Sequence, residues 1–191
     1  MVSLVLGLTL KAVSPATAEL PTRPRDPWVF RSVLDKQARM VTVALSDHLY
    51  IAYDATNCGL YKAWEGTVKF QGAVYTAEHG PQPTSEGRVY ELDTIDRPIW
   101  SVANARGEVT EVKPRFRGYT KKGGQVEFNY EIPLGSKFVT VNEIPEALPL
   151  RLGRVGLERR FTVSGLARGE RLFLDVATKF VAPDSKRAYP L

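Results

Sequence analysis

Apolar and polar residues alternate with a period of two along most of the chain beyond residue 40, a pattern typical of strands that bury one face. Turn sequences rich in Gly and Pro separate the alternating segments. Together they predict an all-β fold, an antiparallel β-sandwich of about ten short strands. The predicted strand segments are 40–45, 49–53, 59–64, 67–70, 73–77, 88–92, 99–102, 108–112, 115–120, 125–132, 137–143, 157–164 and 171–176.

Two segments depart from this alternation. Near the N-terminus, Asp26 is a favourable helix N-cap and Pro27 suits the first helical position, which predicts a short helix ending near Asp35. The residues expected to share one face of this helix are Trp28, Val33 and Leu34. Further along, two prolines interrupt the pattern over residues 143–154, which predicts a crossing between sheets.

The sequence Lys121-Lys-Gly-Gly124 predicts a hairpin loop between two strands. Basic residues alternate on the strand before it, at positions 113, 115 and 117, and Glu127, Asn129 and Glu131 alternate on the strand after it. We expect the two rows to lie opposite each other on one face as pairs of complementary charge. The apolar residues between them, expected to face the core, are Phe116, Val126, Phe128, Tyr130 and Ile132.

The N-terminus resembles an export signal. An apolar run from Val2 to Leu10 is too short to span a bilayer, and Ala16-Thr-Ala18 follows it as a signal-peptidase pattern. No Lys or Arg precedes the run, which departs from the usual leader. The sequence predicts a signal peptide over 1–18, the β-sandwich domain over 19–181, and a tail or the start of a linker over 182–191. A periplasmic or secreted location without a membrane span follows.

Composition narrows the class of protein. With 43% apolar and 25% charged residues among 191, the chain is neither disordered nor collagen-like, and its single cysteine excludes an internal disulfide framework. The net charge of +5 lies in residues 151–191, which hold nine Lys and Arg against four Asp and Glu. These cations alternate with apolar strand positions, which favours a solvated sheet face over a nucleic-acid-binding track. No nucleic-acid partner is predicted.

The sequence shows no motif for catalysis or for a cofactor. His48, His79 and Cys58 are too few for a transition-metal site and have no ligand spacing. A hydrolase or isomerase using Cys58 and His79 needs the two side chains in contact, which the sequence does not show. A lone cysteine at the start of a strand is more often a small core residue. We therefore predict no catalytic residue, no metal and no cofactor.

One segment has the composition of a carbohydrate site. Residues 53–64 hold two tyrosines, a tryptophan and polar side chains, and the loop 79–84 follows a short distance downstream. Aromatic rings can stack on a sugar while polar groups bind its hydroxyls. The candidate contacts are Asp54, Tyr61, Trp64 and His79. The alternative, which we favour, is that Tyr61 and Trp64 are core aromatics.

Several segments resemble the N-terminal module of large exported c-type cytochromes of environmental bacteria. They are residues 26–34, 53–64, 72–76, 79–84 and the sequence Gly156-Leu-Glu-Arg-Arg-Phe-Thr-Val-Ser-Gly-Leu166. In such proteins the module precedes other domains, among them a sugar-dehydrogenase-like propeller and a haem domain. This chain has no Cys-x-x-Cys-His haem motif, so electron transfer is not carried over.

The resemblance implies a periplasmic or surface location and an accessory role, with a dehydrogenase or c-type cytochrome as partner. The leading hypothesis is therefore a non-catalytic exported interaction module. A carbohydrate-binding module is the first alternative, and a small hydrolase or isomerase is the second.

Overall fold

The computed structural model describes residues 27–72, 78, 80–93, 97–150, 154–176 and 179–180. The predicted signal peptide and C-terminal tail lie outside these residues. The described part of the chain is all-β, its strands pair antiparallel, and it contains no α-helix. The strands are β1 Trp28–Leu34, β2 Gln37–Ala44, β3 Leu49–Asp54, β4 Gly59–Lys69, β5 Thr84–Leu92, β6 Trp100–Ala103, β7 Val109–Val112, β8 Arg115–Lys122, β9 Gln125–Leu134, β10 Lys137–Pro149, β11 Val155–Ser164, β12 Arg171–Leu174 and β13 Lys179–Phe180.

The strands form three sheets. The first sheet has the order β1-β2-β3-β4-β5-β13, the second β11-β10-β9-β8, and the third β12-β6-β7. Consecutive strands are therefore mostly neighbours, as short hairpin connections require. Because β11 and β12 follow each other but belong to different sheets, the chain passes from the second sheet to the third between residues 164 and 171.

One hydrophobic core is shared by all three sheets. Inward-facing residues of β2, β3 and β4 pack with those of β6, β9 and β10 in a single cluster. An aromatic contact joins the first and second sheets, where the ring centroids of Tyr53 and Phe128 lie 4.3 Å apart. Burial of this apolar surface is the main favourable contribution to folding.

The first sheet also curls towards the face that is directed away from the shared core. Phe30 on β1 meets Phe70 after β4 at 5.2 Å between ring centroids. The β1–β2 turn reaches the start of β5, where the Asp35 carboxylate accepts bonds from the Ser85 N–H and hydroxyl and from Lys62. A second buried cluster fills the space enclosed by the curl, formed by Leu34, Met40, Ala52, Tyr61 and Trp64.

The predicted N-terminal helix is wrong. Residues 28–34 form strand β1, which pairs with β2 from Trp28 opposite Ala44 to Leu34 opposite Gln37. Asp35 and Lys36 connect the two strands with positive φ angles of 51° and 67°, the conformation of a two-residue type I′ turn. Cross-strand pairing therefore outweighs the local N-cap signal of Asp26 and Pro27, of which Asp26 lies outside the described residues.

Most predicted strands are confirmed, with two corrections. The segments 59–64 and 67–70 belong to one strand, β4, that ends at Lys69, and 73–77 lies outside the described residues. Residues 143–149 do not cross between sheets, because β10 continues through Pro145 to Pro149 and forms a hairpin with β11. Both prolines are accommodated within this long strand pair.

The β8–β9 hairpin forms where the sequence predicts it, but the predicted rows of opposite charge pair only at Glu131, because Glu127 lies opposite Thr120 and Asn129 opposite Gly118. Gly123 and Gly124 adopt φ angles of 58° and 77° at its tip, and Arg115 lies opposite Glu131. A bulge between Phe116 and Gly118 shifts the remaining register, so Arg117 bonds the same Glu131 at 3.4 Å. The predicted core-facing residues of β9 are buried: Val126, Phe128, Tyr130 and Ile132.

Candidate functional site

The two aromatic residues of the predicted sugar site lie in the second cluster. Tyr61 is 9% exposed and Trp64 only 1%. The Trp64 ring stacks on Tyr50 at 5.5 Å, and its indole N–H donates to the Thr67 carbonyl at 3.0 Å. Since neither ring presents an open face to solvent, this structure gives the sugar-binding hypothesis no support from these residues.

Asp54 is the polar member of the predicted sugar site that the structure describes, and its carboxylate binds the backbone of its own turn. The Asp54 carboxylate accepts bonds from the N–H groups of Thr56 and Asn57, at 2.7 and 3.2 Å. These bonds cap the turn between β3 and β4, a local role typical of aspartate. His79 lies outside the described residues.

The same turn holds Cys58, the proposed nucleophile of the hydrolase hypothesis. Its side chain is buried, and burial raises the pKa of the thiol, with the charges of Asp54 and Glu143 acting in the same direction. A thiol with a raised pKa is a poor nucleophile at neutral pH. The Cys58 carbonyl accepts a bond from the Trp100 indole, which ties the turn to the third sheet.

A buried polar cluster, which the sequence analysis did not identify, lies between the first and second sheets. At its centre is Glu143 on β10, whose side chain is fully buried. One carboxylate oxygen accepts bonds from the Tyr53 hydroxyl and from Arg159 Nε, the latter at 2.6 Å. The other accepts from the Tyr130 hydroxyl at 2.9 Å. We call Tyr53, Tyr130, Glu143 and Arg159 the Glu143 cluster.

Arg159 enters the cluster from β11, the strand at the edge of the second sheet. Its guanidinium lies 5.6 Å from the Tyr53 ring centroid and 5.1 Å from that of Phe161. Burial acts to lower its pKa, but the interactions with Tyr53 and Glu143 outweigh burial and raise it. Arg159 therefore stays charged, and its buried Nη2 has no hydrogen-bond partner.

Besides Arg159, three ionisable groups in or beside the cluster have shifted pKa values. Burial raises the pKa of the Tyr53 and Tyr130 hydroxyls, and the Glu143 carboxylate raises them further. Burial also raises the pKa of Glu91 on β5, against the opposing charge of Arg159. Such shifts occur at active sites and equally in structural ion-pair networks.

Chemically, the Glu143 cluster is closed. All three donors to Glu143 come from other strands, so the carboxylate links β3, β9, β10 and β11. Because the carboxylate is buried, loss of any one partner would leave its charge poorly compensated and would destabilise the domain strongly. The sequence held a usable signal, because Glu143 continues the inward alternation of Val139 and Val141 on β10.

The described surface also has an open cleft of about 310 Å³ at one end of the domain. Its lining includes Leu45 and Ser46, which follow β2 of the first sheet. From the second sheet it includes Gln125, Leu148 and Glu158. Glu146, also on this lining, is already bonded by Gln125 and by Arg160. The cleft is open and mixed in character, and its lining carries two carboxylates, Glu146 and Glu158, of which Glu146 is engaged in these contacts.

The most unusual surface is apolar. Between residues 161 and 176, five large hydrophobic side chains are exposed on β11, on β12 and on the segments that follow each strand. Singly exposed hydrophobic residues are common, but exposed hydrophobic residues that cluster are typical of an interaction surface, and these five lie within sixteen residues of the sequence. We call this series the apolar edge; its residues are Phe161, Val163, Leu166, Phe173 and Val176.

Comparisons with models of protein families, with curated protein sequences and with solved structures gave no match. Among the described residues, no helix is long and apolar enough to cross a membrane. Nor do three His, Cys, Asp or Glu side chains in that part of the chain come together as a metal site.

Proposed function

We propose that this protein is a non-catalytic interaction module with a β-sandwich architecture that works outside the cytoplasm. The observation that carries this proposal is the apolar edge. Burial of large exposed hydrophobic side chains by a partner is favourable in free energy. An exposed surface of this kind therefore favours association over an isolated monomer.

The state of the ionisable groups supports an interaction role over a catalytic one. Glu143 and Arg159 are occupied by each other and by two tyrosines, and Cys58 is buried with a raised pKa. These groups stabilise the domain in the described structure. The exposed surface is where we place the function.

The partner follows from the sequence resemblance. The N-terminal modules of exported c-type cytochromes share a polypeptide with dehydrogenase-like and haem domains, so we propose a periplasmic dehydrogenase or c-type cytochrome as partner. We place its contact on the part of the apolar edge formed by Leu166, Phe173 and Val176. Phe173 is 41% exposed on the outer side of β12, flanked by Arg171, whose guanidinium lies 5.8 Å from its ring centroid.

Site-specific photo-cross-linking in the native host tests this proposal. A benzophenone amino acid replaces Phe173 in one variant and Lys122, exposed on β8, in a control. We expect a discrete adduct at position 173 that mass spectrometry identifies as a dehydrogenase or c-type cytochrome, and no such adduct at position 122. Equal, unspecific labelling at both positions would contradict a docking role for the apolar edge.

A further inference from the structure

Strand β11 leaves one edge of the second sheet open. It pairs with β10 over ten residues in unbroken register, from Thr140 opposite Ser164 to Pro149 opposite Val155. In the part of the chain that the structure describes, no strand pairs with its other side, and residues 160–164 are exposed. Unpaired N–H and C=O groups on such an edge are a template for another strand.

The opposite edge of the same sheet, strand β8, is protected against pairing with another strand. Strand β8 carries a bulge between Phe116 and Gly118 and exposes Arg115, Arg117, Lys121 and Lys122. Bulges and repeated like charges are devices that prevent edge-to-edge association. Strand β11 has no bulge, and two of the apolar edge residues, Phe161 and Val163, lie on it.

The charges of β11 are arranged so that the strand complements itself. Glu158 and Arg160 lie opposite Glu146 and Ile144 of β10, on the face directed away from the core. If two copies of β11 pair antiparallel about Arg159, Glu158 of each copy lies opposite Arg160 of the other. Opposite charges placed directly across two strands stabilise the pair.

The same register covers the exposed apolar side chains. On the inner face it places Phe161, 39% exposed, opposite Leu157 of the second copy, and Val163, 41% exposed, opposite Val155. Other registers that keep inner faces together are poorer. Centring the pair on Phe161 gives neither Glu158 nor Arg160 a counter-charge from the second copy, and centring it on Leu157 places Arg160 opposite Arg154.

The two Arg159 side chains meet at the symmetry axis of this pairing without opposing it. Each guanidinium is turned into its own domain, where Nε bonds Glu143 at 2.6 Å and the group lies over the Tyr53 ring. The positive charge is therefore balanced within each copy. Like-charge repulsion at the axis is correspondingly weak.

We propose that the partner of strand β11 is a second copy of this chain, bound by antiparallel β11–β11 pairing that joins the two second sheets into one eight-stranded sheet. The contact is isologous, as a two-fold dimer requires, and uses strand addition at a free edge. The inference goes beyond the proposed function, because the heterologous partner is placed on Leu166, Phe173 and Val176.

Charge-reversal variants test the pairing and its register. Sedimentation velocity of the full chain over a hundredfold concentration range should show a monomer–dimer equilibrium. Glu158→Arg and Arg160→Glu each create two like-charge pairs at the dimer interface and should raise the dissociation constant about tenfold or more. An equimolar mixture of these two variants restores both opposite-charge pairs and should form a heterodimer, as should the double variant E158R/R160E with itself.

Two further variants serve as controls. Val163→Lys places a charge on the inner side of the free edge and should abolish the dimer, whereas Lys121→Glu on β8 should leave it unchanged. Circular dichroism confirms that each variant is folded. A wild-type chain that stays monomeric throughout the range overturns the proposal, as does a dimer that persists in Val163→Lys or a mixture of the two reversal variants that stays monomeric. The cross-linking result at position 173 is independent of these outcomes.

Discussion

At the scale of single residues, we expect the stability of the domain to be especially sensitive to mutations around the buried Glu143 carboxylate. Its carboxylate is removed from water, and Tyr53, Tyr130 and Arg159 supply the bonds that replace hydration. Removing one partner of a buried ion pair leaves an uncompensated charge, which costs more than the pair itself contributes.

We therefore expect Arg159→Leu to lower the free energy of unfolding by about 3–5 kcal/mol. In the Glu143→Gln background no buried carboxylate remains, and the amide can accept from one tyrosine hydroxyl and donate to the other. The same change should there cost about 1–3 kcal/mol less. Urea denaturation of the four proteins in this cycle measures the coupling.

The matched control for this cycle is Arg117→Leu. Arg117 also pairs with a glutamate of the second sheet, but its side chain is 60% exposed, so its loss should change stability by no more than about 1 kcal/mol. Equal costs at the two arginines, or no coupling between Arg159 and Glu143, would show that the Glu143 cluster does not act as a buried ion pair.

At the scale of elements, the curl of the first sheet depends on one glycine pair. Gly66 on β4 lies opposite Gly87 on β5, with φ angles of 151° and 130°. A Cβ on Gly87 would lie 2.1 Å from the Glu65 carbonyl oxygen, and a Cβ on Gly66 would lie 2.0 Å from that of Glu86. The two backbones approach this closely because neither residue has a side chain.

Substitution of Gly87 by alanine should consequently loosen the curl. We expect a loss of about 2–3 kcal/mol in unfolding free energy, since both the backbone conformation and the close contact are unfavourable. Increased iodide quenching of tryptophan fluorescence should accompany it, because Trp64 lies inside the curl.

Gly118 provides the control for this prediction. Its φ of 126° is close to that of Gly87, but no heavy atom lies within 4 Å of a Cβ built there. Gly118→Ala therefore isolates the conformational cost, expected at about 1–2 kcal/mol. If the two variants lose the same stability and Trp64 stays protected in both, the close approach of β4 and β5 is not what holds the curl.

The prediction of a helix over residues 26–35 was wrong at the scale of elements. Its evidence was local, from capping and a proline, and such signals are weak compared with the pairing of a whole strand. The turn at Asp35 and Lys36 gave no recognisable signal, because type I′ turns are usually marked by Asn-Gly or Asp-Gly. The β8–β9 turn, marked instead by Gly123-Gly124, was predicted correctly, but the bulge that shifts its register was not.

At the scale of the whole molecule, the turn that contains Cys58 joins the parts of the domain. Its thiol is packed in the core shared by the three sheets, and its carbonyl accepts a bond from Trp100 of the third sheet. Exposure of this thiol thus requires separation of sheets that share one core. We therefore expect the shared core to unfold cooperatively, as small single domains do.

The reactivity of Cys58 should therefore report global unfolding. We expect its reaction with a thiol reagent at neutral pH to be slower by about 10³-fold or more in the native protein than in urea. Measured at increasing urea, the reaction rate should follow the same transition as circular dichroism. Rapid native-state labelling, or labelling that precedes the loss of β structure, would contradict a thiol protected by the shared core.

The sequence by itself determined the all-β class, most strand positions and which residues of β9 face inward. These follow from period-two alternation and from glycine turns, which act between near neighbours in the chain. Only the tertiary structure decided the curl that buries Tyr61 and Trp64, the extension of β10 through Pro145, and the meeting of Glu143 with Arg159. Each of these depends on how strands pair or on contacts between strands that are distant in sequence. A local sequence pattern does not indicate which sheet will cover which face of another.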